Sequence, residues 1–343
     1  MKLLSILAAV AASLVCAVGA RADDGSATRY YVSLGDSLAA GTNATGVGIP
    51  YTGMGYADQL QAVLAVQDPK LKLVKLGCPG ESSVSMRFGS QPSTTVLSCG
   101  SPDYYKNVLY PRGTQLAEAV SFLRAHKGKV ALVTIDIGAN DLQRVDSDGN
   151  GVTCLFESDG CESQAASMVQ NVAAILADLR EAAGPDVPIV GMTYYDVFAQ
   201  LCESNRSLTF VCSRVDALNT QLADAYAAAG VPVADVAGAF ANDSLPQAAR
   251  DVCALTWFCT GGDPHPNASG YGLIAQAFAA GLGLPYMDDT LIPTPVLFGE
   301  ELQPGCVQGY MLRYLSPYRY PLNDPLRLYD RNYDDYICQR YPF

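Results

Sequence analysis

Apolar residues along this chain fall into two alternating patterns. Short, nearly unbroken apolar runs at 30–34, 71–76, 130–137, 187–194 and 231–236 read as strands. Between and after them, apolar residues recur at helical spacing over 56–66, 115–126, about 163–183, 214–229 and 268–280. The run at 130–137 is apolar nearly throughout, which suits a central parallel strand covered on both faces. Strand and helix alternate five times, the pattern of a parallel sheet with helices on both sides.

Polar stretches punctuate the pattern. A glycine-rich loop covers 41–55, residues 87–112 are rich in Ser, Pro and Tyr, and polar residues follow Gly138 to about Ser163. A cysteine-bearing loop leads to Gly262. From about Leu284 neither period persists. Nine of the twenty tyrosines lie between Tyr286 and Tyr341, so 284–343 reads as a separate Tyr/Pro-rich extension, packed on the main domain or forming a small subdomain.

Composition narrows the class. The chain has 343 residues, 49% apolar and 16% charged, with a formal net charge of −12. That balance supports a sizeable core and argues against nucleic acid and anionic membranes as partners. Lys2, the apolar stretch 3–19 and Ala20-Arg21-Ala22 form a secretory signal pattern with a small-x-small cleavage site, giving a signal peptide at 1–22 and a main domain at 23–283. Val15 before Cys16 is a poor fit to a lipoprotein site, and no later stretch is long enough to span a membrane. The expected location is secreted, extracellular or periplasmic. Ten cysteines follow the signal, and with export they read as disulfides between sequence neighbours: Cys78–Cys99, Cys154–Cys161, Cys202–Cys212, Cys253–Cys259 and Cys306–Cys338. A zinc site would lack CxxC pairs and has only two histidines to draw on.

The opening strand breaks at Gly35 into Asp36-Ser37-Leu38. A serine on such a strand-to-helix turn is lifted off the sheet edge beside the free N–H groups of a starting helix. By itself it reads first as a helix cap. In parallel sheets ligands bind at the carboxyl ends of the strands, and the turns after the first three strands and the loop carrying His265 can all lie there. Ser37, Gly80, Asn140 and His265 can therefore meet. His126, at a helix end in Arg-Ala-His-Lys-Gly-Lys, reads as solvated; His265, in Pro-His-Pro after the last strand, is the credible general base.

These residues match a family. Gly35-Asp36-Ser37-Leu38, Gly80 in Pro-Gly-Glu-Ser, Gly138-x-Asn140-Asp141 and Asp263-Pro-His265-Pro-Asn resemble, in order and spread, the four blocks of the SGNH or GDSL hydrolases. The resemblance covers roughly residues 30–283. It implies a three-layer α/β/α domain with a five-stranded parallel sheet of flavodoxin-like order, and ester hydrolysis with no required cofactor. Carried over by position, Ser37 is the nucleophile and gives its backbone N–H to the oxyanion hole. Gly80 gives a second N–H, Asn140 a side-chain amide, and His265 is the base. One position departs from the pattern: Gly262 stands where an aspartate is expected, three before the histidine, and Asp263 lies two before it. Either Asp263 or the Gly262 carbonyl would orient His265. Asp36 and Asp141 read as braces of their turns.

Asp146, Asp148, Asn150, Gly151 and Glu157 together satisfy a calcium-loop pattern, but no flanking helices are predicted and Cys154 falls inside it, so a polar disulfide-bearing loop is the simpler reading and any calcium would be structural. Asn-x-Ser/Thr sites occur at Asn43, Asn205, Asn242 and Asn267. The sequence thus points to a secreted serine lipase or esterase acting on a small-molecule, lipid or carbohydrate ester. The alternatives are an acetyl esterase or acyltransferase on polysaccharide, or a non-catalytic carbohydrate- or surface-binding protein. Tyr51, Tyr194 and Tyr195 stand as candidate substrate-facing aromatics for either enzyme.

Overall fold

The computed structural model describes residues 28–42, 54–89, 110–145, 151–157 and 161–284. Residues 1–22, expected to be a signal segment, Asn43, Tyr51, Cys99, Asp146, Asp148, Asn150, Cys306, Cys338 and the expected extension beyond Leu284 lie outside them. Five parallel strands form one sheet: β1 (Arg29–Gly35), β2 (Leu71–Lys75), β3 (Val130–Asp136), then, after a small hairpin of β4 (Gln143–Val145) and β5 (Gly151–Thr153), β6 (Ile189–Met192) and β7 (Val233–Ala234). Their order is β2-β1-β3-β6-β7, the flavodoxin-like order, with its switch point between β1 and β3. β1 and β3 are buried over nearly their whole length, as their apolar runs required. The edge strand β2 carries Lys72 and Lys75, which protect an open edge.

Helices cover both faces. On one, α2 (Tyr56–Gln67) packs on α11 (Ala268–Gly281); on the other, α4 (Gln115–Ala125), α5 (Glu162–Ala183) and α7 (Thr209–Ala228) lie side by side. Shorter helices sit at loops: α1 (Ser37–Ala40), α3 (Ser83–Phe88), α6 (Ala199–Ser204), α8 (Val236–Ala239), α9 (Leu245–Leu255) and α10 (Phe258–Gly261). No helix among the described residues is long and apolar enough to cross a membrane.

Several elements differ from their sequence pattern, for identifiable reasons. The run 187–194 shrinks to four strand residues. Tyr194 N–H donates to Asn219 Oδ1 and Asn219 Nδ2 donates back to Tyr194 O, both at 2.7 Å, so a side-chain amide takes the place of a neighbouring strand. The run 231–236 shrinks to two, because Val231 N–H closes the end of α7 on Tyr226 O at 2.9 Å. The stretch read as a cysteine-bearing loop contains α9, with Pro246 in its first turn and Ala248, Ala249 and Val252 buried. The start of the Ser/Pro/Tyr-rich stretch is helical in α3, because Ser82 and Ser85 cap it reciprocally. His126 caps the end of α4 as expected but is half-buried: its ring stacks on Phe122 at 4.0 Å and meets Tyr30 at 4.6 Å.

Three neighbouring cysteine pairs are joined among the described residues: Cys154–Cys161, Cys202–Cys212 and Cys253–Cys259. The last ties α9 to α10, the approach to His265. β4 precedes the calcium-loop pattern, where a helix–loop–helix would place its entering helix, and β5 lies within the pattern. Among the sequons, Asn242 and Asn267 use their side-chain amides internally. Asn242 accepts from Asp196 N–H at 3.1 Å and Asn267 donates to Ala254 O at 2.8 Å. Asn205 is exposed.

Candidate active site

The site lies at the carboxyl edge of β1, β3 and β6. Gly35 ends β1 with φ +138°, and a Cβ there would stand 2.1 Å from Asp136 O, so only glycine lets β1 turn this close to β3. Asp36 N–H donates to Asp136 O at 3.2 Å, and Asp36 Oδ1 accepts Leu38 N–H at 2.9 Å, capping α1. Ser37 is thereby the first residue of a one-turn helix. Its backbone N–H and hydroxyl make no hydrogen bond among the described residues.

The turn after β2 runs Cys78-Pro79-Gly80-Glu81. Glu81 N–H donates to Cys78 O at 3.1 Å, and Gly80 has φ +77°. Proline second and a left-handed glycine third define a type II turn, in which the Gly80 N–H faces away from the turn's own hydrogen bond; among the described residues it donates to nothing. The turn after β3 brings Asn140 alongside, with one N–H of its Nδ2 donating to Glu81 O at 3.0 Å. Asp141 fixes that approach by accepting Ser83 N–H at 2.8 Å and Ser83 Oγ–H at 2.5 Å. Asp36 and Asp141 are braces of their turns, as their positions implied.

His265 follows α10. Its Nδ1 lies 2.7 Å from Asp263 Oδ1, which also accepts the His265 backbone N–H at 2.8 Å. A carboxylate can only accept, so Nδ1 donates to it, and in the neutral ring Nε2 is then the acceptor. The carboxylate two residues before the histidine therefore faces Nδ1, and the Gly262 carbonyl does not. Burial pushes Asp263 up, but the hydrogen bond and charge of His265 outweigh it and hold the carboxyl below its ordinary range. Trp257 N–H donates to His265 O at 3.1 Å, and Tyr195 Oη–H donates to Pro264 O at 2.5 Å. The loop is thus pinned on both sides. Ser37 Oγ and His265 share no hydrogen bond among the described residues, an arrangement common before substrate draws such groups together.

Tyr194 and Tyr195 do not serve as a substrate platform. They are 6% and 7% exposed, and their hydroxyls are engaged with Asp36 and Pro264. Sequence reasoning also passed over Asp136, although a carboxylate inside so apolar a strand was a signal. Asp136 is fully buried and accepts from Tyr56 Oη at 2.5 Å and from Ala39 N–H at 3.3 Å. Burial, then the Asp36 charge, push its carboxyl well above the ordinary range. Burial likewise raises Asp36, Glu81 to about 7 and Asp141 to about 6. In the segment after β6, Asp196, Cys202 and Cys212 come together closely enough for a metal, but the two sulfurs are bonded to each other and offer no thiolate.

A serine on a strand-to-helix turn, backbone and amide donors beside it, and a carboxylate-oriented histidine on a doubly wound sheet define a hydrolase class. The chain belongs to the GDSL-like Lipase/Acylhydrolase family, whose model matches residues 33–273. No curated protein sequence matches it. Among solved structures it is similar to the lipase Lip_vut3 from a goat rumen metagenome, at 15% identity over 76% of this chain and 100% of that one, with a TM-score of 0.46. Phospholipase A1 from Streptomyces albidoflavus NA297 shares 18% identity over 75% of this chain and 99% of that one, TM-score 0.44. Est24, a carbohydrate acetylesterase from Sinorhizobium meliloti, shares 13% over 75% and 99%, TM-score 0.44.

Proposed function

We propose that the protein is a secreted serine ester hydrolase, a lipase or esterase that cleaves acyl esters through an acyl-enzyme on Ser37. The observation that carries this reading is the Asp263–His265 pair at 2.7 Å, which leaves Nε2 basic in a loop tethered to the same sheet edge as Ser37.

In this mechanism Ser37 Oγ attacks the ester carbonyl carbon and its proton passes to His265 Nε2. The imidazolium that forms is stabilised by Asp263, which stays ionised. The carbonyl oxygen becomes an oxyanion and receives hydrogen bonds from the N–H groups of Ser37 and Gly80 and from the second N–H of Asn140 Nδ2. Collapse breaks the bond to the alcohol oxygen, which takes the proton from His265. Water then attacks the acyl-enzyme with His265 again as base, releasing the acid and restoring Ser37. Each proton transfer uses groups of the chain and needs no cofactor.

The test is an intact-mass measurement after reaction with a fluorophosphonate, with the labelled peptide mapped, beside hydrolysis of p-nitrophenyl esters from acetate to octanoate. One adduct on Ser37 and loss of hydrolysis in Ser37→Ala are expected. Labelling elsewhere, or full activity in Ser37→Ala, would refute the mechanism. Cleavage of acetate alone would move the assignment to an acetyl esterase.

A further inference from the structure

Outside the groups assigned chemistry above, one buried side chain joins two turns of the site. Gln115 is the first residue of α4 and has no exposed surface. Its amide pairs with the Gly35 peptide in both directions: Gly35 N–H donates to Oε1 at 2.7 Å, and Nε2 donates to Gly35 O at 2.9 Å. Gly35 O also accepts Cys78 N–H at 3.1 Å, so the peptide that ends β1 is held both by the turn after β2 and by this side chain. The same Nε2 reaches Glu81 Oε2 at 3.1 Å and Tyr110 Oη at 2.9 Å.

Glu81 is 2% exposed and follows Gly80 directly. Its Oε1 accepts from Ser85 Oγ–H, and its main-chain carbonyl is the acceptor for Asn140 Nδ2. Among the described residues no cation pairs with it. The ionisable groups that bear on it, Asp36 from the first turn and Asp141 from the third, are both acidic. A carboxyl buried without a cation is a net cost to stability, so its presence calls for a role in geometry. The three oxyanion donors proposed above lie close to this network. Gly35 is two residues before Ser37, Gly80 adjoins Glu81, and Asn140 is held by the Glu81 carbonyl.

We infer that Gln115 and Glu81 are a pair of positioning residues that hold the Ser37 turn and the Gly80 turn in one register, so that the oxyanion donors converge on one point. Neither touches the reacting atoms; both act through the backbone they hold. The inference rests on the assignment of Ser37, Gly80 and Asn140 given under Proposed function.

The experiment compares wild type, Gln115→Met and Glu81→Gln on p-nitrophenyl butyrate, with inhibition by an alkyl boronic acid, whose tetrahedral adduct on serine occupies the oxyanion hole. Losing one donor's alignment should lower kcat about ten- to a hundredfold with KM changed by less than about threefold, since the donors act chiefly on the transition state. The boronate Ki should rise by a similar factor. A network that only supports folding would instead lower the active fraction and the melting temperature, leaving KM and Ki of the folded fraction unmoved. That result, or kcat within about threefold of wild type, overturns the inference. If Gln115→Met does not fold, Glu81→Gln, which keeps the side-chain shape, decides alone. Wild type labelled by fluorophosphonate at a residue other than Ser37 would remove the site assignment before any variant is made, and this inference with it.

Discussion

Tyr194 and Tyr195 are adjacent in the chain, yet they hold the two halves of the site. Tyr194 Oη–H donates to Asp36 Oδ2 at 3.0 Å, beside Ser37, and Tyr195 Oη–H donates to Pro264 O at 2.5 Å, beside His265. They follow β6, which pairs with β3, so the rigid sheet sets the spacing between Ser37 and His265. Tyr195→Phe should lower stability by about 1 kcal/mol, the usual worth of one hydrogen bond, and reduce kcat several-fold by loosening the His265 loop. Thermal melting and steady-state kinetics read both. A variant with unchanged melting temperature and unchanged kcat would show that the tether is dispensable.

The orienting group is open to a direct substitution. Asp263→Asn keeps an acceptor for the His265 backbone N–H but removes the carboxylate that faces Nδ1. Loss of the carboxylate in such triads can cost up to about 10⁴ in kcat, because the wrong tautomer is favoured and the imidazolium loses its partner. A fall of at least about a hundredfold is expected here, with the melting temperature little changed. Activity within about threefold of wild type would hand the role to another group.

Asn140→Ala tests the oxyanion hole. Removing one side-chain donor should lower kcat about 10²-fold and leave KM nearly unchanged. The Glu81 carbonyl loses its partner in the same variant, so circular dichroism and melting belong beside the kinetics. A large rise in KM with kcat retained would point to substrate binding instead.

The buried acids give stability a pH dependence of definite sign. Burial raises Glu81 from an ordinary 4.5 to about 7 and Asp141 from 3.8 to about 6. The folded state therefore holds these protons more tightly than the unfolded state. Their stabilising contribution is full below the unfolded values and is lost as pH rises through about 6 to 7. For Glu81 the swing is about 3 kcal/mol at most, since each pKa unit is worth about 1.4 kcal/mol. Glu81→Gln should flatten the fall in melting temperature between about pH 5 and pH 8. Asp263 works in the opposite sense, since its lowered value stabilises the fold above the unfolded value and is lost on acidification. A wild-type melting temperature that does not change across the window would contradict the burial argument for Glu81.

Much of the fold was legible in the chain. The apolar runs at 30–34 and 130–137 became β1 and β3, because a strand buried on both faces must be apolar on both. The helical spacing at 56–66 and 115–126 became α2 and α4 within a residue. The runs at 187–194 and 231–236 overstated their strands, since a strand lasts only while a neighbour pairs with it and Asn219 ended one of them from α7. Helix α9 carried its own signal, Pro246 in the first turn and apolar positions three and four apart, hidden by the expectation of a disulfide loop.

The site divides in the same way. Ser37, Gly80, Asn140 and His265 were singled out from the sequence because the turns after successive strands share one sheet edge and their four blocks resemble those of the SGNH hydrolases. Which group faces Nδ1 was not local. Gly262 and Asp263 both stood near enough in sequence, and the folded loop placed the Asp263 carboxylate there. The pairings of Tyr194 with Asp36, Tyr56 with Asp136 and Gln115 with Gly35 and Glu81 cross 158, 80, 80 and 34 positions. No sequence period records such contacts, because they arise only when the sheet order brings the ends of β1, β2, β3 and β6 to one edge. Periodicity and turn residues carry the central strands and the turns at their ends, because those depend on near neighbours; which buried groups clamp the turns depends on contacts made only once the strands are ordered in the sheet.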